Sequence, residues 1–262
     1  MPKFVLFIIL VFISFNLKAQ TWEFGASAGG AGYMGDLNPN NPVKISGYAI
    51  GGFVKRNFNG YLSARLNGVI SRVSAADSNS GNQQFRNRNL SFTTPIREAS
   101  IIGEFNFMNY IPDAGKNKYT PYIFLGVAAA KYYPRATYQG QLYDLRSLKT
   151  EGQPAAYSAT TISLLYGAGF KYNITGKFTL GAELGYRNTN TDYLDDVSGN
   201  YADKSKQSIL SAALGDRSGE KTGSHYIGSA GTQRGDMRPH DTYFFSQITI
   251  SYTFVTQKCY FQ

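Results

Sequence analysis

Two neighbouring segments of the chain alternate between apolar residues and small or polar ones. At residues 162–174 every even position is apolar and most odd positions are small or polar. Residues 178–187 repeat the pattern, and Thr175-Gly176-Lys177 lies between the two segments. Sustained alternation with a period of two indicates a strand with one apolar face. The pair therefore predicts a β-hairpin with a tight turn.

The same alternation recurs, with less contrast, elsewhere in the chain. It is clear at residues 243–254, weaker at 61–73 and 96–108, and completed by 22–32, 45–56 and 122–133, the last with the least clear faces. Glycine and aromatics are abundant, with 28 Gly, 20 Tyr and 18 Phe, as expected for short strands joined by tight turns. We expect an all-β fold of antiparallel strands, about eight in number.

The composition of the two strand faces predicts which face meets water. The polar faces carry charges of both signs, at Glu23, Lys55, Arg65, Glu98, Glu104, Lys171, Glu183 and Arg187. The apolar faces begin or end with aromatics, at Trp22, Tyr48, Phe107, Tyr172, Phe178, Tyr186, Phe244 and Phe254. A soluble sandwich would bury the apolar faces. A transmembrane β-barrel presents apolar residues and aromatic girdles to lipid and encloses a polar interior.

The lengths of the connections favour the barrel. Residues 57–60, 112–121 and 175–177 are short connections, whereas 74–90, 134–158 and 192–240 alternate with them and are long. Short periplasmic turns and long extracellular loops are typical of bacterial outer-membrane barrels. A barrel of about eight strands is just wide enough for side chains to fill it. We therefore expect the inward charges to pair, and no wide aqueous pore.

The chain begins with a segment that is typical of export. Lys3 precedes an apolar run at residues 4–15, and Leu17-Lys18-Ala19 precedes Gln20. These are the marks of a cleaved signal peptide, and the run is too short to cross a bilayer as a helix. We expect residues 1–19 to be a signal peptide and residues 20–262 to form one barrel domain. Gln20 at the predicted cleavage site argues against a lipoprotein anchor, and the single cysteine, Cys259, excludes an internal disulfide.

Charge and histidine content limit the chemistry. The formal charge is +9 at pH 7, but the basic residues do not cluster, and export argues against nucleic acid as a partner. The two histidines, His225 and His240, both lie in the last long connection. One of them could act with Ser224, Ser229 or Asp241 in a hydrolase or a lipid-modifying barrel enzyme. No nucleophile motif surrounds them, and we predict no enzyme, no cofactor and no metal site.

An acidic stretch in the same connection offers a second candidate. Residues 195–200, Asp-Asp-Val-Ser-Gly-Asn, present oxygen atoms that could meet a hard cation. They lack the alternate ligand positions and the closing Glu of a twelve-residue calcium loop. We interpret the stretch as a turn in which the Asp side chains cap backbone N–H groups.

Three motifs resemble a known family. They are Tyr33-Met34-Gly35-Asp36-Leu37-Asn38 after the first predicted strand, residues 192–201 after the seventh, and Gln233-Arg234-Gly235 shortly before Asp241-Thr242-Tyr243. Together they resemble PorG-type outer-membrane barrels of the Bacteroidota type IX secretion system. The resemblance implies a barrel in the outer membrane that associates with lipoproteins of a periplasmic ring and supports secretion of adhesins for gliding motility and of degradative enzymes. It implies no catalysis.

The resemblance also supplies candidate site residues. The matching positions are Tyr33, Gly35, Asp36, Leu37, Asn38, Asp195, Asp196, Ser198, Gly199, Tyr201, Arg234 and Gly235. Our hypothesis is that Arg234 or backbone N–H groups hold Asp36, Asp195 and Asp196, which would fold the last outer loop over the barrel mouth. The alternative is an independent small outer-membrane barrel for membrane integrity, adhesion or narrow transport.

Overall fold

The computed structural model describes residues 21–112, 117–223 and 225–254. The predicted signal peptide, Gln20, Ser224 and Cys259 lie outside the described residues.

Ten strands follow one another along the described chain. They are β1 (Thr21–Met34), β2 (Ile45–Asn57), β3 (Leu62–Ala76), β4 (Ser91–Asn106), β5 (Tyr119–Tyr132), β6 (Arg135–Tyr138), β7 (Gln141–Asp144), β8 (Thr160–Thr175), β9 (Phe178–Thr189) and β10 (Thr242–Phe254). The predicted segments coincide with β1 to β5 and β8 to β10. The short strands β6 and β7 pair with each other as a hairpin and were not predicted.

The eight long strands form a closed antiparallel barrel. Each pairs with its sequence neighbour in the barrel, and β1 also pairs with β10, from Trp22 opposite Phe254 to Met34 opposite Thr242. Closure leaves no free edge among these strands, so the barrel wall satisfies its own backbone groups, as a span through lipid requires. The predicted fold class is confirmed.

The alternation along the strands separates two environments. Ile70 and Ile101 point outward and are 60% and 63% exposed, whereas Arg65 and Glu98 point inward and are 3% and 4% exposed. Apolar side chains on the outside and charged ones on the inside are the arrangement of a barrel surrounded by lipid. No helix in the described ranges is long and apolar enough to cross a membrane.

Phe244 was predicted to belong to the aromatic girdle, but the structure places it differently. It was expected to face lipid, but it is only 1% exposed. Its ring lies over Gly32, whose missing side chain leaves the space, and its centroid is 5.5 Å from that of Tyr186. Close packing on the neighbouring strands therefore covers this ring.

The connections at the two ends of the barrel differ, as predicted. One end has the short connections 58–61, 107–118 and 176–177. The other, which we call the outer end, carries four loops: the first at 35–44, the second at 77–90, the third at 133–159 and the fourth at 190–241. Helical turns lie within these loops: Asp77–Asn79 and α1 (Gln83–Arg88) in the second, α2 (Leu145–Leu148) in the third, and Lys204–Lys206, α3 (Ile209–Gly215) and α4 (Gly219–Thr222) in the fourth.

The interior is less polar than predicted. Ile96, Tyr132, Tyr243 and Phe245 are buried in one apolar cluster together with residues of the outer loops, among them Leu194. This cluster packs loop side chains onto side chains of the barrel strands. The inward ionic side chains described below form a second, polar part of the interior.

Candidate functional site

The eight charged residues predicted to face the interior are paired with one another inside the barrel. Glu104 of β4 is the most connected. Its carboxylate lies 2.5 Å from Lys171 Nζ, 3.0 Å from Arg65 Nε and 3.7 Å from Lys55 Nζ. Lys55 also lies 2.8 Å from Glu23. Buried charges are tolerated when they are paired in this way.

Two hydrogen bonds that involve these charged residues span the full width of the barrel. Arg65 on β3 donates to Glu183 on β9 at 2.9 Å, and Tyr243 on β10 donates to Glu98 on β4 at 2.7 Å. In the closed strand order, β3 lies opposite β9 and β4 lies opposite β10. Arg187 completes the second group with a hydrogen bond of 3.0 Å to Glu98. The lumen is therefore bridged from wall to wall at two places.

Aromatic rings fill much of the space between the charges. Lys171 Nζ lies 4.0 Å from the ring centroid of Tyr122, and the Arg187 guanidinium lies 4.1 Å from that of Phe245. Such cation–π contacts stabilise a buried cation and exclude water. Sequence reasoning missed Tyr122 and Phe124 as interior residues because Ile123 and Leu125, which point outward from the same strand, are also apolar.

The motif residues meet at the outer end, where they join the first loop to the fourth. Tyr33 lies at the end of β1 and donates through its hydroxyl to Asp195 Oδ2 at 2.5 Å and to Asp241 Oδ1 at 3.1 Å. Asn38 Nδ2 donates to the Tyr33 carbonyl at 2.6 Å, which folds the first loop back on the strand. The Asp36 carboxylate accepts the N–H of Asp236.

Arg234 is the centre of the fourth loop. It is 4% exposed and donates to the Gly215 carbonyl at 3.0 Å, the Asp196 carbonyl at 2.6 Å and Glu151 Oε1 at 2.9 Å. Glu151 in the third loop accepts the N–H of Ser198 at 2.9 Å. Arg234 thus holds the backbone of Asp196 and lies 4.0 Å from its carboxylate.

Asp195 and Asp196 bind different partners. Asp195 Oδ1 accepts the Val197 N–H at 2.9 Å, which is the expected cap within a turn. Asp196 adopts a left-handed backbone with φ 70°, and its carboxylate instead accepts hydroxyls of the third loop, from Tyr157 at 2.7 Å and from Thr150. The second and third outer loops were not part of the sequence hypothesis.

A second buried arginine, Arg88 in the second loop, was also missed. It forms a two-pronged ion pair with Asp77, with both contacts at 2.7 Å. It also donates to the carbonyls of Arg234 at 2.7 Å and Asp36 at 3.0 Å. Asp77 lies in the same loop, eleven residues before Arg88, but the carbonyl groups of Arg234 and Asp36 come from distant parts of the chain, and no local motif marks Arg88.

The remaining motif positions lie in the same assembly, which we call the cap and define as the packed parts of the four outer loops. Leu37 and Tyr201 are each 7% exposed. The N–H groups of Arg234 and Gly235 both donate to the Gly199 carbonyl at 2.8 Å. The structure therefore brings all twelve motif residues together at the outer mouth.

Several carboxyl groups of the cap have pKa values above the ordinary range. Burial raises the pKa of Asp36 and that of Asp192 to about 7 in each case. Burial also raises the pKa of Asp196 to about 6, against the opposing effect of Arg234. Burial and the nearby carboxylates of Asp36 and Asp192 place the pKa of Asp241 well above its usual range. Removal from water disfavours the charged form of a carboxyl group.

The histidines do not join this assembly. His225, His240 and Ser229 are exposed, whereas Asp241 is buried and accepts the Leu194 N–H at 2.9 Å. Neither imidazole makes a hydrogen bond to a described residue. Among the described residues, neither histidine therefore forms a hydrogen-bonded pair with Ser229 or Asp241.

The fold and its site define a class of protein: a small transmembrane β-barrel with a bridged interior and a capped outer mouth. The chain belongs to the family described as "Domain of unknown function (DUF6089)", whose model matches residues 2–214. A search of the curated proteins finds no match.

Solved barrels from several bacteria are similar to the chain. Neisserial surface protein A is 14% identical with a TM-score of 0.42, over 90% of this chain and 100% of that one. The outer membrane protein OprG from Pseudomonas aeruginosa is 11% identical with a TM-score of 0.38, over 91% and 97%. The attachment invasion locus protein Ail of Yersinia pestis is 12% identical with a TM-score of 0.38, over 91% and 100%.

Proposed function

We propose that the chain is a non-enzymatic outer-membrane component of the type IX protein secretion machinery, anchored by its barrel and associated with the machine's periplasmic ring. The observation that carries the proposal is the bridged lumen. Arg65 to Glu183 and Tyr243 to Glu98 link opposite walls, which argues against a wide aqueous pore. We therefore infer that the protein acts through contacts between its surface and a partner protein.

The position of the motif residues supports the same proposal. The residues that carry the resemblance to PorG-type barrels come from separate segments, yet they form one buried network in the cap. Their co-location gives them a shared structural task, which is to fix the outer loops. Because the matching residues form one structural unit, the motif match supports the proposal more strongly than matches at unconnected positions would.

The short-turn end supplies the surface for a periplasmic partner. The turn at 58–61 exposes Phe58 and Tyr61, which are 38% and 44% exposed. Lys118, in the connection 107–118 at the same end of the barrel, is also exposed. Aromatic residues are enriched in protein–protein interfaces, so the exposed Phe58 and Tyr61 are suited to contact with another protein.

The experiment is photo-crosslinking in intact cells, with a photo-reactive residue at position 118 on a short turn or, as the matched control, at position 221 in the outer loop. We expect position 118 to yield adducts with ring lipoproteins and position 221 to yield none. Lys118 and Lys221 are both exposed lysines, so insertion and expression should be comparable.

Deletion of the gene supplies the functional half of the test. The proposal predicts a reduced total of secreted protein, restored by the wild-type gene. An unchanged secretome, together with no ring adduct at position 118, would favour the rival, an independent small barrel that serves membrane integrity, adhesion or narrow transport.

A further inference from the structure

Three carboxylates that are far apart in sequence meet at the outer mouth. Asp36 follows β1, Asp192 follows β9 and Asp241 immediately precedes β10, and these three strands are neighbours in the barrel. Each side chain contributes an oxygen, and the three oxygens lie within 4.8 Å of one another. The topology of the barrel therefore assembles the cluster independently of any local motif.

Asp36 supplies an observation beyond the cluster itself. The residue is 1% exposed, and its Oδ1 accepts the N–H of Asp236. Its Oδ2 is buried and has no hydrogen-bond partner among the described residues. A buried carboxylate oxygen without a partner is costly, and here it belongs to a side chain that converges with two other acids.

The nearby cations are already engaged. Arg88 is paired with Asp77 at 2.7 Å, and Arg234 is paired with Glu151 at 2.9 Å. Within the described ranges, Asp36, Asp192 and Asp241 form no ion pair with a Lys, Arg or His. Burial raises the pKa of all three groups, and nearby carboxylates, including Asp236 beside Asp36 and Asp192, add to the shift. A bound cation would displace the protons that these carboxyl groups retain and would compensate the charge of the ionised carboxylates.

The donor set selects the type of cation. All three groups are hard oxygen ligands, the kind that Ca²⁺ and Mg²⁺ prefer. Ca²⁺ binds oxygen at about 2.3–2.6 Å in flexible geometry, so oxygens on opposite sides of the ion are about 5 Å apart, whereas Mg²⁺ demands a tighter octahedron. Asp192 is only partly buried, which leaves a route from the outside.

We propose that Asp36, Asp192 and Asp241 form a calcium site that ties the first outer loop to both ends of the fourth. The remaining ligands are water and backbone carbonyls, since Ca²⁺ takes about six to eight oxygens. A cation bound only by the folded cap stabilises it by mass action. The inference does not depend on the proposed role in secretion.

The test is calorimetric titration of Ca²⁺ into the full chain, purified in detergent and freed of divalent ions. We expect one saturable site, weakened at least tenfold in Asp36→Asn and in Asp192→Asn. Asp203→Asn is the control, because Asp203 lies in the same loop but its exposed carboxylate meets only Ser205 and Lys206. The heat-dependent gel mobility of each variant verifies that its barrel is folded.

Proteolysis gives a second readout on the wild-type chain. Arg238 lies between Asp236 and Asp241 and its side chain is 56% exposed, so trypsin can reach it. We expect Ca²⁺ to slow cleavage there at least tenfold. Absence of saturable Ca²⁺ binding by the wild-type chain, or equal binding by all variants, would overturn the site. Mg²⁺ binding as tight as that of Ca²⁺ would overturn the choice of cation.

Discussion

Gly35 shows at the scale of one residue why the first motif contains a glycine. A Cβ at this position would lie 1.9 Å from Asp241 Oδ1 and 2.2 Å from the Tyr33 hydroxyl. No side chain fits there without displacing the network that joins the first loop to the fourth. The turn chemistry of the surrounding residues does not require this glycine, but the packing of the cap does.

We therefore predict that Gly35→Ala loosens the cap. The cost of overpacking is about 1–3 kcal/mol, and cleavage of the outer loops by trypsin should accelerate accordingly. Gly68→Ala is the matched control, since nothing lies within 4 Å of a Cβ added there. Equal cleavage rates in the two variants would contradict the packing argument.

Asp196 gives a pH dependence at the same scale. Burial raises its pKa to about 6 from an ordinary value of 3.8, with Glu151 adding to the shift and Arg234 opposing it. The stabilisation of the folded loop is therefore complete below the unfolded pKa and is lost as pH rises through the folded one. A difference of about two pKa units corresponds to about 3 kcal/mol.

Hydrogen exchange of the fourth loop, corrected for the intrinsic rate, should therefore slow as the pH falls from 6 to 4. In Asp196→Asn this part of the pH dependence should disappear, whereas Asp203→Asn should keep the wild-type slope. Asp36 and Asp192, with pKa values of about 7, add a slope of the same sign over this range and up to about pH 7 in both variants. An unaltered profile in Asp196→Asn would show that another group titrates.

Sequence reasoning at this scale identified one side of most contacts. The motifs indicated Asp36, Asp195, Asp196 and Arg234, but not Glu151 of the third loop, which is 83 residues from its partner Arg234. Arg88 and Asp77 carry no local signal either. A single sequence reveals a turn through its own residues, whereas a partner in another loop becomes visible only once the barrel has set the loops side by side.

Among the elements, the fourth outer loop depends most on one side chain. Arg234 links α3 to the turn at 195–196 and to the third loop. Its removal would leave Glu151 buried without its ion partner, although Glu151 would keep the N–H groups of Ser198 and Gly199. Loss of one partner of a buried ion pair typically costs about 3–5 kcal/mol.

Arg234→Ala should accordingly expose the fourth loop to protease while the barrel strands stay protected. Asp195→Ala should act in the same direction, because Asp195 accepts both the Tyr33 hydroxyl and the Val197 N–H. Lys206→Ala is the control; its ion pair with Asp203 is 82% and 44% exposed, and such pairs contribute at most about 1 kcal/mol. Unchanged protease sensitivity in both test variants would refute the proposed architecture of the cap.

Prediction of elements succeeded where one face meets lipid. Alternation identified every barrel strand, because each must present apolar residues outward and its inward residues are mostly small or charged. β5 was the weakest case, since Tyr122 and Phe124 make its inner face apolar as well. The short helices and the β6–β7 hairpin of the outer loops gave no periodic signal, because tertiary contacts rather than length or propensity hold them.

For the whole molecule, Glu104 is the most sensitive point of the interior. Three cations, Lys55, Arg65 and Lys171, lie within 3.7 Å of its carboxylate. Glu104→Gln keeps the shape of the side chain but leaves positive charge unbalanced inside the barrel. We expect a loss of about 3–5 kcal/mol in the free energy of unfolding.

Urea unfolding in lipid vesicles, followed by gel mobility, measures that loss. Glu220→Gln is the control, because Glu220 pairs with Arg217 at the surface and is 39% exposed; its effect should stay below about 1 kcal/mol. A stability loss no larger than that of the control would show that the interior charges do not act as a unit.

The seam between the first and last strands has a consequence for biogenesis. The cap joins Tyr33, near the end of β1, to Asp241, which immediately precedes β10. These two strands become neighbours only when β10 pairs with β1. This contact of the cap can therefore form only after the barrel has closed. Formation of the cap on newly made chains would therefore report that β1 and β10 have paired, the last step in closing the barrel.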